Sequence, residues 1–374
     1  MDIIISDSSK INLFKKIRSK YIIQLIFTNI KKNKSLKIIK YNKNIQERLE
    51  IDVRDYEDDY LKIEIEVFPK KYRGKKEIKF INIFKGKNNP YYHIYFNDNY
   101  IETKKTSFIG TEHVSKIKIV LDKEFKYFDG LFKECTDIVK INFIKFNRTN
   151  IRRMAYMFNF CKKLKEINFI KFKTDNVEYM DYMFCECVSL EELDLSNFNT
   201  EKVKFMNGMF FHCRSLKKLN ISNFKTDNLH RMSKMFYNCK SIKYLDLSNF
   251  NTKNLEYANY VFQDCKSLEE INLTNFKTEN VTQMINMFYN CKSLKKLDLS
   301  SFTTKNVMYM NKMFENCESL SELNINNFQT NDFTKMKNMF SNCSILDVIY
   351  ISNYKITCDR NDGRMNYHFV KIKN

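Results

Sequence analysis

The chain has 374 residues, 64 of them Lys or Arg and 44 Asp or Glu, for a formal net charge of +20. That length allows one extended array plus a small second module. The charge raises nucleic acid as a partner, but lysine greatly outnumbers arginine, and the abundance of Lys, Asn, Ile, Phe and Tyr with six Gly and no Trp fits biased nucleotide composition. The most apolar early run, Tyr21–Ile30, contains Gln24, Thr28 and Asn29 and is too short to span a bilayer. It also lacks the placement and cleavage site of a signal peptide, so a cytoplasmic address is expected, with the cell surface as the alternative. No GxxxxGK[ST], GxGxxG or GxSxG motif occurs, so the chain is read as non-enzymatic, with no cofactor.

Residues 1–50 carry 12 Lys and Arg against 4 Asp and Glu. Ile22, Ile23, Ile26, Phe27 and Ile30 mark one helical face, and Leu36, Ile38, Ile39, Ile45 and Leu49 mark a second and third short helix. The stretch from Lys20 to Leu49 resembles an F-box, with Ile23, Ile26, Phe27, Ile30, Leu36, Ile39, Asn42 and Leu49 on that family's positions, although its opening Leu-Pro and late Trp are absent. The resemblance implies docking to a ubiquitin-ligase adaptor subunit through Ile23, Ile26, Phe27 and Ile30. A plain amphipathic three-helix cap shows the same periodicity.

Residues 51–115 read as a short β-rich connecting segment, with alternating runs at Leu61–Phe68, Glu77–Phe84 and Tyr91–Phe96 separated by turns at Pro69–Gly74 and Gly86–Pro90.

From there a 26-residue period governs the chain to residue 358. Nine cysteines keep it without a slip: Cys135, Cys161, Cys187, Cys213, Cys239, Cys265, Cys291, Cys317 and Cys343. Phenylalanine stands three residues before each, and another aromatic eleven residues after. Such a register means a solenoid whose coils bury their apolar side only by stacking. Within a unit, Leu216, Leu219 and Ile221 predict a short strand. Thr226 then fits a helix N-cap, and Leu229, Met232, Met235, Phe236 and Cys239 follow the spacing of one helix face. The methionine column, including Met154, Met180 and Met206, is read as core rather than as copper or haem ligands. The cysteines are read as reduced structural thiols. With no CxxC pair and five scattered histidines (His93, His113, His212, His230, His368), no metal site is expected. Residues 359–374 form a polar tail suited to capping the last coil.

The recurring MFxxCxSLxxLxLSNFxTxxVxxM resembles the BspA-type leucine-rich repeat, related to the Treponema-type class. The match covers residues 116–354 and is fullest over 183–330, for example at Met287, Phe288, Cys291, Leu294, Leu297 and Leu299. The resemblance implies an α/β fold, a right-handed leucine-rich-repeat solenoid of nine strand-turn-helix coils with a parallel sheet on one side. It also implies adhesion and binding of proteins, and no catalytic residues.

Four and five places after each cysteine lie the strand's solvent positions. They give Lys165, Glu166, Glu191, Glu192, Lys217, Lys218, Lys243, Tyr244, Glu269, Glu270, Lys295 and Lys296. Inter-coil charge pairing accounts for this stripe, and the same stripe is the candidate partner-binding face. Two steps bring like charges together, Glu166 with Glu192 and Lys217 with Lys243. Seven places after cysteine, an Asn or Asp column from Asn142 to Asn324 is expected to hydrogen-bond from coil to coil. The function expected is a protein-binding scaffold, such as an intracellular substrate adaptor. The alternatives are a surface adhesin and a basic nucleic-acid binder.

Overall fold

The computed structural model describes residues 17, 19–29, 38, 42–50, 53–83, 91–329, 333–346, 348–351, 354–361 and 364–371. Among the described residues the chain opens with α1 (Lys20–Asn29), α2 (Lys43–Leu49) and α3 (Val53–Leu61). The Asn42 side chain caps α2 by accepting from the Ile45 N–H at 3.2 Å, and Ile45 and Leu49 turn inward. α3 falls where the sequence predicts only strands. None of these helices is long and apolar enough to cross a membrane.

The chain then turns to strands: β1 (Ile63–Pro69), β2 (Glu77–Lys79), β3 (Tyr92–Phe96), β4 (Glu102–Thr103), β5 (Ser107–Ile109), β6 (Ile117–Leu121) and β7 (Ile138–Phe146). β1 alternates buried and half-buried residues and lies between β6 and β7, antiparallel to both. β7 pairs in parallel with β8 (Glu166–Asn168), so one six-stranded sheet runs β4-β3-β6-β1-β7-β8 into the repeats. The antiparallel strands thereby cover the edge that the first coil would otherwise leave open.

Three-residue strands recur every 26 residues: β9 (Glu192–Asp194), β10 (Lys218–Asn220), β11 (Tyr244–Asp246), β12 (Glu270–Asn272), β13 (Lys296–Asp298) and β14 (Glu322–Asn324). A second column of parallel bridges joins Arg153, Tyr179, Phe205, Arg231, Tyr257, Gln283, Tyr309 and Lys335. The array is therefore a β-solenoid. At its far end β15 (Val348–Ile351), β16 (Tyr354–Asn361) and β17 (Arg364–Lys371) form an antiparallel sheet.

The expected α/β leucine-rich-repeat fold is overturned at the segment assigned to helix. No coil contains a helix among the described residues. In the coil before Cys239, Lys234 and Asn238 both take positive φ, 61° and 59°, and the same two positions do so in coil after coil. A left-handed residue every four positions ends each turn before a second helical turn can form. The N–H groups of Lys234, Phe236 and Asn238 donate instead to Asn259, Val261 and Gln263 of the next coil at 2.7–2.9 Å. Successive tight turns bring Met232, Met235, Phe236 and Cys239 inward at the three-and-four spacing that also describes a helix face. Gly208 holds one of these left-handed positions, φ 55°, where a Cβ would lie 2.3 Å from the Tyr182 ring.

The inward columns do the stacking. Phe132, Phe158, Phe184, Phe210, Phe236, Phe262, Phe288, Phe314 and Phe340 form a continuous ladder with ring centroids 5.1–5.8 Å apart. Each ring is essentially unexposed, worth about 1.5–3 kcal/mol of burial. From Cys161 onward every ladder cysteine donates its S–H to the carbonyl of the ladder phenylalanine one coil back, at 3.0–3.2 Å. The ten cysteines whose side chains are described are free and buried.

The threonine column is not a set of helix caps. Thr200 is fully buried; its Oγ1 donates to the Lys225 carbonyl at 2.9 Å and accepts from the Lys225 N–H at 2.7 Å. Thr174, Thr278 and Thr304 make the same double contact one coil on. Thr200→Val keeps the shape and strands both Lys225 backbone groups, so urea titration should show a loss of about 1–2 kcal/mol. Thr200→Ser keeps the hydroxyl and should lose less. Equal losses in the two variants would show that the hydrogen bonds contribute nothing.

Candidate functional site

The stripe predicted from the sequence is one surface. Lys165, Glu166, Glu191, Glu192, Lys217, Lys218, Lys243, Tyr244, Glu270, Lys295 and Lys296 are all exposed along the column of short strands, and Glu269 is half-buried among them. Alternation along each strand puts the intervening residues, such as Leu193 and Leu245, in the core.

Most of these charges are paired between coils. Glu191 meets Lys217 at 2.8 Å, Glu192 meets Lys218 at 2.6 Å, and Lys296 meets Glu322 at 2.6 Å. Glu269 lies between Lys243 at 3.2 Å and Lys295 at 3.5 Å. The Glu191 and Glu269 carboxyls are held below their ordinary range by hydrogen bonds from Lys217 and Lys243 respectively, and the Lys218 ammonium is raised by its bond to Glu192.

The strands hydrogen-bond in couples: β7–β8, β9–β10, β11–β12 and β13–β14. Two of the three intervening steps are where like charges face, Glu166 against Glu192 and Lys217 against Lys243. Like charges directly opposite weaken a cross-strand pair. Each therefore turns to the other side, Glu166 to Lys140 at 2.6 Å, Lys217 to Glu191 and Lys243 to Glu269. At the third step, β12 to β13, no like charges face, and the Lys295 N–H still donates to the Glu269 carbonyl at 3.4 Å.

At the β10–β11 step the surface opens into a shallow depression of about 560 Å³. Lys217, Lys218, Lys243 and Tyr244 stand around it, with Glu192 and Asp194 on the far side. Tyr244 is 54% exposed, an uncommon exposure for a large aromatic on a strand otherwise lined with charge.

The Asn and Asp column does not bridge coils as expected. Asp194, Asp246 and Asp298 accept from the N–H two residues on, that of Ser196, Ser248 and Ser300, each at 2.9 Å. These are turn contacts within a coil. Asparagines of other columns tie coils together, among them Asn228, Asn254, Asn280 and Asn306, whose Nδ2 groups donate to a carbonyl of the preceding coil at 2.6–2.7 Å.

A second ridge follows the bridge column. Arg153 lies 4.4 Å over the Tyr179 ring, Tyr179 stacks on Phe205 at 5.0 Å, and Arg231 sits 5.2 Å over Tyr257. Tyr179 and Phe205 thus each spend their faces on a neighbouring ring and a guanidinium.

The N-terminal docking residues separate. Ile23 is fully buried and Ile26 half-buried, whereas the Phe27 side chain and Ile30 lie outside the described residues. α1 instead exposes Tyr21, Ile22 and Leu25. The F-box-like assignment is corrected at Ile23, one of its four docking positions, which faces the interior.

Among the described residues no group of three or more His, Cys, Asp or Glu is arranged to hold a metal ion. Burial pushes the thiols up, to about 12 at Cys185 and Cys265.

Sequence reasoning overlooked a buried arginine. Arg148 occupies the column that later coils fill with threonine, Thr174 to Thr304, and it is 3% exposed. A cation in a column of small buried hydroxyls was the available signal.

No curated protein matches the sequence. The BspA-type assignment is replaced by a family match over two overlapping stretches, residues 126–245 and 230–354, which together span more than half of the chain and nearly all of the coils described above. With its β-solenoid built on that repeat, the chain belongs to the family described as "Mycoplasma protein of unknown function, DUF285".

Proposed function

We propose that the array is a non-enzymatic scaffold that takes a protein partner on its strand face, centred on the β10–β11 step. The observation that carries this reading is the depression there, where Tyr244 stands exposed beside Lys217, Lys218 and Lys243. An amphipathic aromatic flanked by cations suits a partner that offers carboxylates around an apolar notch. Without a partner the three lysines rest on Glu191, Glu192 and Glu269, in exposed ion pairs that are individually weak and that a partner's carboxylates can replace. The ten buried free thiols favour a reducing compartment, so the partner is sought inside the cell.

The test is a photo-crosslinking side chain at position 244, irradiated in intact cells that have first been treated with external protease. A discrete full-length adduct that disappears when Lys243→Glu is added is the expected result. An adduct unchanged by Lys243→Glu, or none at all, would remove this face as a binding site. Loss of the protein to external protease would remove the intracellular placement.

A further inference from the structure

The first coil differs from its successors in more than its sheet. Arg148 places a full positive charge in the interior and finds no carboxylate to bond. Its Nε donates to the Leu61 carbonyl at 2.8 Å, and its Nη groups donate to the carbonyls of Leu121, Asp122 and Phe125. Those contacts satisfy hydrogen bonding and tie the end of α3 and the end of β6 to the coil, while the carboxylates of Glu124 and Asp122 offset the charge only through space, less than burial penalises it. Burial brings the Arg148 guanidinium down to about 10, so it stays protonated at neutral pH.

Beside this charge opens a cavity of about 320 Å³. Lys123, Lys126, Arg152 and Arg153 also line it, and Asp129 is the single carboxylate among its lining residues. Three of the cations already have partners: Lys123 with Asp58, Arg153 with Asp129 at 2.7 Å, and Arg152 with Glu178 at 2.8 Å. Lys126 is exposed and has no carboxylate partner among the described residues. Arg152 is also releasable, because Glu178 keeps Lys204 at 3.0 Å when Arg152 swings away. The cavity wall adds Phe125 and Phe128, with Arg148 set 5.8 Å over the Phe128 ring, and Tyr127 is 44% exposed. An excess of cations over an aromatic floor, in a space of small-molecule size, is the pattern of an anion-recognising site.

We propose that this cavity binds a small phosphate-bearing solute, whose phosphate is drawn to Lys126 and Arg148 and gains Arg152 as that side chain leaves Glu178. The site is independent of the strand face, since none of its lining residues belongs to that stripe.

The full chain is titrated with inorganic pyrophosphate and with AMP by calorimetry at low ionic strength, and in parallel with a short single-stranded oligonucleotide. Saturable binding of pyrophosphate or AMP is expected, weakened about tenfold or more by Lys126→Glu. Lys296→Glu, an equal charge change on the strand face, should weaken it less than about twofold. Both substitutions lie on exposed side chains and leave the core intact. Three outcomes overturn the site: no saturable binding of either small probe, equal weakening by the two variants, or binding confined to the oligonucleotide. The second would assign binding to the diffuse field of a +20 chain.

Discussion

Phe236→Ala should cost about 3–5 kcal/mol, the range for removing a fully buried aromatic from a packed core. Phe236 has no exposed surface, and its ring stacks on Phe210 at 5.4 Å and on Phe262 at 5.6 Å. The substitution therefore removes two inter-coil contacts and opens a cavity between three coils at once. The backbone contacts of the same residue survive, because the Phe236 N–H still reaches Val261 and its carbonyl still accepts from Cys265. In a stack where each coil touches only its neighbours, stability is a sum of coil and interface contributions. Damage at the middle of the ladder should then uncouple the two halves. Urea unfolding followed by circular dichroism should show a lower midpoint together with a broadened or two-step transition. A loss below about 1 kcal/mol with an unchanged slope would mean that the ladder is not what holds the coils together.

That ladder was also the most legible part of the molecule. A solenoid repeats its columns, so the fixed spacing of Phe236, Cys239 and their equivalents announces which residues are inward, and all of them are buried. The charge pairing of Lys218 with Glu192 followed from the same register. The conformation between Thr226 and Cys239 did not, for a physical reason. A string of four-residue turns and a helix both return an apolar residue to the same side every three or four positions, so periodicity cannot separate them. The distinguishing trait is the left-handed residue at the end of each turn. Gly208, Asn238, Asn286 and Asn290 fit it, but Tyr156, Phe160 and Tyr182 hold the same geometry, which residue type alone would not suggest. Inter-coil hydrogen bonds override that local cost. On the strand face, the two like-charge steps were visible, and the β12–β13 step, which lacks such a pair, keeps a backbone hydrogen bond from Lys295 to Glu269. The cavity beside Arg148 was hidden because its walls come from segments about 25 residues apart, 123–129 and 148–153, joined only once the first coil has closed.

Asp137→Asn should cost about 3 kcal/mol at neutral pH and should flatten the acid limb of the stability profile. Asp137 is nearly unexposed, and it receives hydrogen bonds from Tyr72 at 2.6 Å, Lys76 at 2.9 Å and Lys163 at 2.5 Å. Tyr72 and Lys76 belong to the segment ahead of the array, whereas Asp137 and Lys163 belong to its first coils, so this cluster pins the β-rich segment to the solenoid. Burial works to raise the Asp137 carboxyl, but the donors Lys163, Lys76 and Tyr72 outweigh it and hold the group well below the ordinary carboxylate range. The sign follows from that depression: the unfolded chain binds this proton more readily than the folded one. The stabilisation is complete above the unfolded value of about 3.9 and is lost as pH falls below it toward the folded value. Asparagine has no proton to bind and retains only a neutral acceptor, while the two lysines, both partly exposed, regain water. Urea titrations at intervals from about pH 6 to pH 2 should therefore show the wild type losing stability faster than the variant in the acid range, with the two curves converging at the lowest pH. Parallel curves separated by a constant offset would mean that the carboxylate charge does not fasten the segment to the array, and that shape alone does.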